Sequence, residues 1–310
     1  MKISKKEAEV LEFLMQQGES TQSELASRLK IKKSNLSNYI RNLSDFGLVD
    51  IRKAGRNNRL KLSQIFFSEY NKLGNPSLER VVYRAIIGQK PYLLSYFQGK
   101  KFTIKDMLMP PATAKRTLAK LRNLGVVFME KNGVYIIRQE MEQLSRFCRN
   151  ILYAMHLEQA NKTFRITSSF FVSQAPTEWA VLLVTRKTIQ TKEYFPTAYN
   201  LFSRYGLRLI LTERQYYTNI KPKIEEVIIH ALVLSAGALP QRMLDTRGIL
   251  YVCALIIKNR VGYEKLAKTK HKFGLTDESL RNILDFINSK GEKTFPGFPS
   301  WKEVEEVSHG

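Results

Sequence analysis

The sequence predicts an α+β chain in which a unit of three helices and a two-stranded hairpin occurs twice, followed by a mixed α/β domain. Three observations lead there. Apolar residues at helical spacing give way to short β-type runs around Gly/Asn turns, the pattern recurs further along the chain, and the texture changes near residue 141. With 310 residues the chain has room for two or three compact domains.

The first helix is expected over residues 4–17, where Val10, Leu11, Phe13 and Leu14 follow Ser4 at helical spacing and Gly18 stops the run. Thr21 opens a second helix, TQSELASRLK, because Thr21 with Glu24 three residues on forms a capping box. Past Ile31 and Lys32, residues 34–43 form a third helix with Leu36, Ile40 and Leu43 facing inward. DFGLVDI then reads as a strand, KAGRNNR as a turn and LKLS as the returning strand. This is the order of a winged helix-turn-helix domain, placed at residues 1–70.

Sliding the chain on itself by 78 positions sets Ile40, Leu43, Phe46, Gly47, Leu48, Val49 and Lys53 on Leu118, Leu121, Leu124, Gly125, Val126, Val127 and Lys131. Residues 118–137 thus read as helix end, strand, Asn-Gly turn and strand. Upstream, FTIKDMLMPPATAKRTLAKL supplies a helix-turn-helix pair, with Pro110 and Pro111 at the inter-helix turn and the first turn of the next helix. A second winged helix-like domain is therefore expected at 77–140, behind the linker NKLGNPS. The fold class is α+β: tandem winged helix-turn-helix domains and then a mixed α/β C-terminal domain at 141–310.

That last domain opens with the helical stretch MEQLSRFCRNILYAMHLEQA, followed by the β-type runs FRITSSFFV and WAVLLVTRK, a helix PTAYNLFSRYG and the β-type run LRLILTER. Three helical pieces come after Pro222: IEEVIIHALVLSA, RGILYVCALIIKN and, behind Thr276, DESLRNILDFINSK. The ending TFPGFPSWKEVEEVSHG is too rich in Pro and Gly to form an element. Residues 224–236 and 248–257 are apolar over more than one face and must be buried, either in the domain core or across a homodimer interface. The domain is expected to dimerise the chain or to bind a protein partner.

Fifty Lys+Arg against 28 Asp+Glu give a net charge of +22, which favours a polyanionic partner, nucleic acid first. Residues 1–65 hold 13 basic and 7 acidic side chains and residues 80–140 hold 12 and 3, whereas the basic residues after 141 are scattered like a solvated surface. Cys148 and Cys253 form no Cys-x-x-Cys pair and read as core thiols. No apolar leader opens the chain and no apolar run reaches about 18 residues, so a cytoplasmic protein without a membrane partner is expected.

On the third helix Ser34, Asn38 and Arg41 point away from the inward residues, with Ser37 and Asn42 flanking, Asn35 counted with them, and Lys32 and Lys33 at the N-terminal end. No acidic residue lies between 32 and 42. Asn can bond an adenine edge bidentately and Arg a guanine edge, while Ser and Lys suit bases and phosphates. The hairpin adds Arg52, Lys53, Arg56, Asn57, Arg59 and Lys61, able to track phosphates or enter the minor groove; a solvated turn is the alternative. In the second unit Lys115, Arg116 and Lys120 are the candidates, with Asn123 beside them. Its hairpin, MEKNGVY, is poor in charge, so both phosphate contact and simple packing stay open.

No phosphate-loop or dinucleotide-binding glycine motif is present, and His156, His230, His271 and His309 have no metal-ligand spacing. His230 reads as a core residue and Glu225-Glu226 as a helix start. No catalytic residue, cofactor or metal is expected.

SELASRLKIKKSNLSNYIRNLSDFGLVDIRKAGRNNRLKLS resembles the winged-helix domain of MarR- and ArsR-type regulators, in which L-A-x-x-L, a polar recognition helix, an L-x-x-x-G-L-V exit and a basic wing recur. The resemblance implies a sequence-specific, double-stranded-DNA-binding transcription regulator. The overall layout is also similar to AbiEi-type antitoxins, which implies as an alternative a protein that binds its own promoter and counters a nucleotidyltransferase-like toxin through its C-terminal domain. A second winged helix departs from that pattern.

Overall fold

In a computed structural model the chain forms two compact units. The structure describes residues 2–54, 57–164, 170–174, 179–186, 188, 190–207, 209, 215–235, 246–270 and 277–309. The first unit comprises Met1–Arg165 with Ala175–Trp179, the second Ile166–Gln174 with Ala180–Gly310.

The first unit begins with α1 (Lys5–Gln17), capped reciprocally by Ser4 and Glu7 and ended at Gly18, φ +76°. A three-residue strand β1 (Glu19–Thr21), too short to leave a sequence pattern, leads into α2 (Gln22–Arg28), which has the expected Thr21/Glu24 capping box. The third helix, α3 (Lys33–Asp45), buries Leu36, Ile40 and Leu43. Strands β2 (Val49–Ala54) and β3 (Asn57–Leu62) form the hairpin, and β1 joins the free edge of β3 in the order β1-β3-β2. Gly55 and Arg56 lie outside the described residues, and the returning strand begins at Asn57 rather than after Arg59.

The stretch read as a linker is mostly structured. Helix α4 (Gln64–Asn71) starts at the Ser63 cap, Leu73 is buried, and α5 (Pro76–Ala85) starts at the Asn75 cap with Pro76 in its first turn. After α6 (Lys90–Tyr96) the expected helix before Pro110 is a single 3-10 turn, Lys105–Met107. Phe102 is tied to Tyr135 by backbone hydrogen bonds of 2.9 and 2.8 Å, and Pro110 already caps α7 (Pro111–Asn123). Too little chain remains between these anchors for a helix and a turn. Strands β4 (Val127–Lys131) and β5 (Val134–Ile137) pair antiparallel.

The backbone repeats at the 78-residue offset. Lys30 and Leu108 both sit at φ +50°, and Gly47 and Gly125 at +68° and +71°. Leu48 N–H donates to Leu43 O at 2.9 Å, as Val126 N–H does to Leu121 O at 3.0 Å. Both glycines reverse the chain after their helix in the left-handed region, where other residues are strained.

Helix α8 (Glu142–Phe164) completes the unit. Its Leu144, Phe147, Cys148, Ile151 and Met155 enter the same core as α1, α3 and α7, and Phe147 meets Phe66 edge-on at 5.6 Å. Burying each of these larger side chains contributes about 1.5–3 kcal/mol. A helix grouped on composition with the C-terminal domain therefore lies in the first unit.

The second unit carries a four-stranded sheet in the order β6-β7-β9-β8. Its strands are β6 (Phe170–Gln174), β7 (Trp179–Thr185), β8 (Phe195–Pro196) and β9 (Gln215–Thr218). Of the expected run 207–214, residues 208 and 210–214 lie outside the described residues, as do 165–169 of the run before β6. The segment expected as a helix at 196–206 is a 3-10 helix, Ala198–Tyr205. Among the described residues five α-helices follow: α9 (Ile224–Ser235), α10 (Thr246–Lys258), α11 (Tyr263–Lys270), α12 (Asp277–Asn288) and α13 (Trp301–His309). Thr276, expected ahead of α12, lies outside the described residues.

Helix α13 corrects the expectation that the ending forms no element. Ser300 and Glu303 cap it reciprocally, and the Pro/Gly-rich part stops before it. Helices α9 and α10 contribute to the core of the second unit. Val227, Ile228, Ile229 and Leu232 are buried with Ile249, Val252, Leu255 and Ile256 in one cluster.

Candidate nucleic-acid interface

Burial of Leu36, Ile40 and Leu43 turns the polar arc of α3 outward: Lys32, Lys33, Ser34, Asn35, Ser37, Asn38 and Arg41 are all exposed. Arg41 Nη2 donates to Asn38 Oδ1 at 3.1 Å, so two side chains suited to base edges are held one turn apart. Ser37 Oγ donates to Lys33 O at 2.8 Å and accepts from Gln22 Nε2, bracing α2 against α3. Gln22 was not legible as part of the site because its partner lies 15 residues away.

Asn42, expected to flank the reading face, is exposed, but its amide is engaged by α1. Its Nδ2 donates to Glu7 Oε1 at 3.1 Å. Glu7 is 3% exposed and its other oxygen accepts from Ser4 N–H at 2.6 Å. One buried carboxylate thus caps α1 and anchors α3. Asp45 continues the outward face one turn beyond Arg41. Lys162 of α8 lies 3.5 Å from it, donates to Ser44 O at 2.8 Å and sits 3.6 Å from Glu158. The approach is close: a Cβ on Gly47 would stand 2.8 Å from Glu158 Cγ.

On the hairpin, Arg52 lies directly opposite Arg59 in the strand register. Like charges so placed are unfavourable without a counter-charge. Arg59 is 3.3 Å from Glu19 and Lys61 3.9 Å from Asp50. Among the described residues Arg52 and Lys53 form no ion pair, so they are the charges the hairpin offers outward. Arg56 and the Asn57 side chain fall outside what is described.

In the second unit of the repeat, Lys115, Arg116 and Lys120 are exposed on α7 while Ala114, Leu118 and Leu121 are buried. The buried Lys90 amine donates to Arg84 O and is pushed down to about 8, by burial first and then by Lys120. On the β4–β5 hairpin the acidic Glu130 is paired with Lys101 at 2.8 Å.

Elsewhere the chemistry is that of packed interiors. Burial pushes the His156 and His230 imidazoles down to about 3 and the Cys148 and Cys253 thiols up to about 12. His230 Nδ1 lies 2.7 Å from Thr197 Oγ1. Among the described residues no group of three or more His, Cys, Asp or Glu could hold a metal, and no helix is long and apolar enough to cross a membrane.

Residues 1–86 match the family model of the sugar-specific transcriptional regulator TrmB. TrmB is a winged-helix DNA-binding family, so the match indicates a transcription regulator with an N-terminal DNA-binding domain. It runs from α1 to the end of α5 and takes in the whole α3 face and hairpin. The match is to TrmB and does not confirm the MarR- and ArsR-type resemblance. Neither a curated protein nor a solved structure matches the chain.

Proposed function

We propose that this chain is a sequence-specific, double-stranded-DNA-binding transcription regulator without catalytic activity, in which α3 reads base edges and the β2–β3 hairpin holds phosphates. The observation that carries this is the paired Asn38 and Arg41 on an exposed face with no carboxylate from 32 to 42, inside the TrmB-matched segment. Lys32, Lys33, Ser34 and Asn35 surround that pair, and Ser37 braces it.

Residues 77–140 serve as a second winged helix-like domain, with Lys115, Arg116 and Lys120 toward DNA. The recurrence of turn conformations and helix-end hydrogen bonds at the 78-residue offset supports this. The second unit, from Ala180 onward, serves a homodimer or a protein partner. The family's description as sugar-specific concerns proteins matched only over residues 1–86, and nothing in that match points to an antitoxin.

Selection of bound duplexes from a random DNA pool tests the proposal. Recovery of a defined sequence is expected, with a palindrome if two copies bind together. Recovery of the unselected pool would overturn it.

A further inference from the structure

The two repeats differ at one matched place. In the first, the surface where the recognition helix ends and the hairpin begins is occupied by α8, with Glu158 against Gly47 and Lys162 against Ser44 O and Asp45. In the second, a Cβ on Gly125 would meet nothing within 4 Å, and the surface is an open concavity of about 510 Å³. The offset replaces Ser44 by Arg122, Asp45 by Asn123 and Asp50 by Phe128. Arg138, just past β5, lines the same concavity.

The chemistry is therefore inverted. The first repeat presents a carbonyl and a carboxylate to a lysine of its own chain, whereas the second presents two guanidiniums and an amide to open space. Arg122, Asn123 and Arg138 are all exposed, and among the described residues neither arginine forms an ion pair. Phe128 beside them is 40% exposed and Met129 45%, an apolar floor of the kind a deoxyribose can lie against. Arg116 and Lys120 are also exposed on α7.

We infer that the concavity between the end of α7 and the base of the β4–β5 hairpin is a phosphodiester-binding site, through which the second repeat holds the backbone of duplex DNA with Arg122 and Arg138. This rests on the DNA-binding reading above and adds a surface that neither the recognition-helix positions nor the TrmB match contains. It also resolves the charge-poor second hairpin: the grip lies at the hairpin base.

The test uses the full chain and a random-sequence duplex of about 30 base pairs, with affinity measured by fluorescence anisotropy over a salt series. Each phosphate neutralised contributes about 0.9 to the slope of log affinity against log salt. The Arg122→Ala/Arg138→Ala variant should therefore have a slope shallower by about 1.8, so that between 0.05 and 0.2 M salt it loses about 12-fold less affinity than the parent. Arg122→Lys/Arg138→Lys should keep most of the slope, which separates charge from fold. An unchanged slope in the alanine variant overturns the inference. If Arg52→Ala is shallower while the Arg122/Arg138 variant is not, this site falls and the DNA-binding reading stands. If neither changes, both fall. A loss confined to a single-stranded probe also overturns the duplex assignment.

Discussion

Removing the Asn42 amide should loosen α3 without touching Asn38 or Arg41. Asn42 Nδ2 and Ser4 N–H both donate to Glu7, at 3.1 and 2.6 Å, and Glu7 is almost wholly buried. A hydrogen bond to a charged group contributes about 1.5–3 kcal/mol, and the wetter side of this one places Asn42→Ala near 1–2 kcal/mol. Glu7→Ala loses that bond and the capping box, which adds about 1 kcal/mol. The double variant should then be less destabilised than the sum of the two by about 1 kcal/mol, because the shared bond is counted twice. Urea unfolding at constant slope measures all three. Asn42→Ala should also lower the ratio of specific to random DNA affinity, since the helix that carries Asn38 and Arg41 is less firmly held. Additivity within about 0.3 kcal/mol together with an unchanged ratio would refute the anchoring role.

Asn38→Ala or Arg41→Ala should each cost roughly 1–3 kcal/mol on the selected site and relax specificity, whereas random-DNA affinity changes little; an unchanged ratio removes α3 from the reading role. The His156 and His230 rings, held to about 3 by burial, should show no titration by NMR between pH 8 and 5; a midpoint near 6.5 for either contradicts its burial. Both folded values lie below the usual 6.5, so the unfolded chain binds more protons in that interval. Stability is therefore full above about pH 6.5 and falls as the pH drops toward 3, by several kcal/mol per ring. A fragment ending at residue 140 should not fold cooperatively, because it lacks Leu144, Phe147, Ile151, Leu152 and Met155 of α8. At about 1.5–3 kcal/mol each, their loss is comparable to the whole stability of a domain. A fragment ending at 164 should fold; a sharp urea transition in the shorter one would refute this.

What was legible in the sequence follows from the range of the interactions. The Ser4/Glu7 and Thr21/Glu24 caps and the inward Leu36, Ile40 and Leu43 act within a few residues, and the chain writes them as local patterns. Helix α8 was misgrouped because its neighbours in sequence begin a β region, while its apolar face fits Phe66 and the first core. Likewise α13 was hidden by the prolines before it, although Ser300 and Glu303 carry the same signal as the first two caps. The 3-10 turn at Lys105–Met107 was out of reach because the pairing of Phe102 with Tyr135 shortens the segment from afar.

The same distinction separates the two kinds of residue at the candidate interface. Outward residues need only the helix period to be found, since a face opposite three buried positions must be solvent-exposed. Residues that hold the helix in place do not: Glu7 lies 35 positions before Asn42, and Lys162 lies 118 positions after Ser44. On the sequence Asn42 only flanks the arc on which Asn38 points outward, with no acid between 32 and 42 to suggest a partner. The acid that claims Asn42 stands on α1, and that contact makes one asparagine a strut, whereas Asn38 has its bond to Arg41 on the same helix.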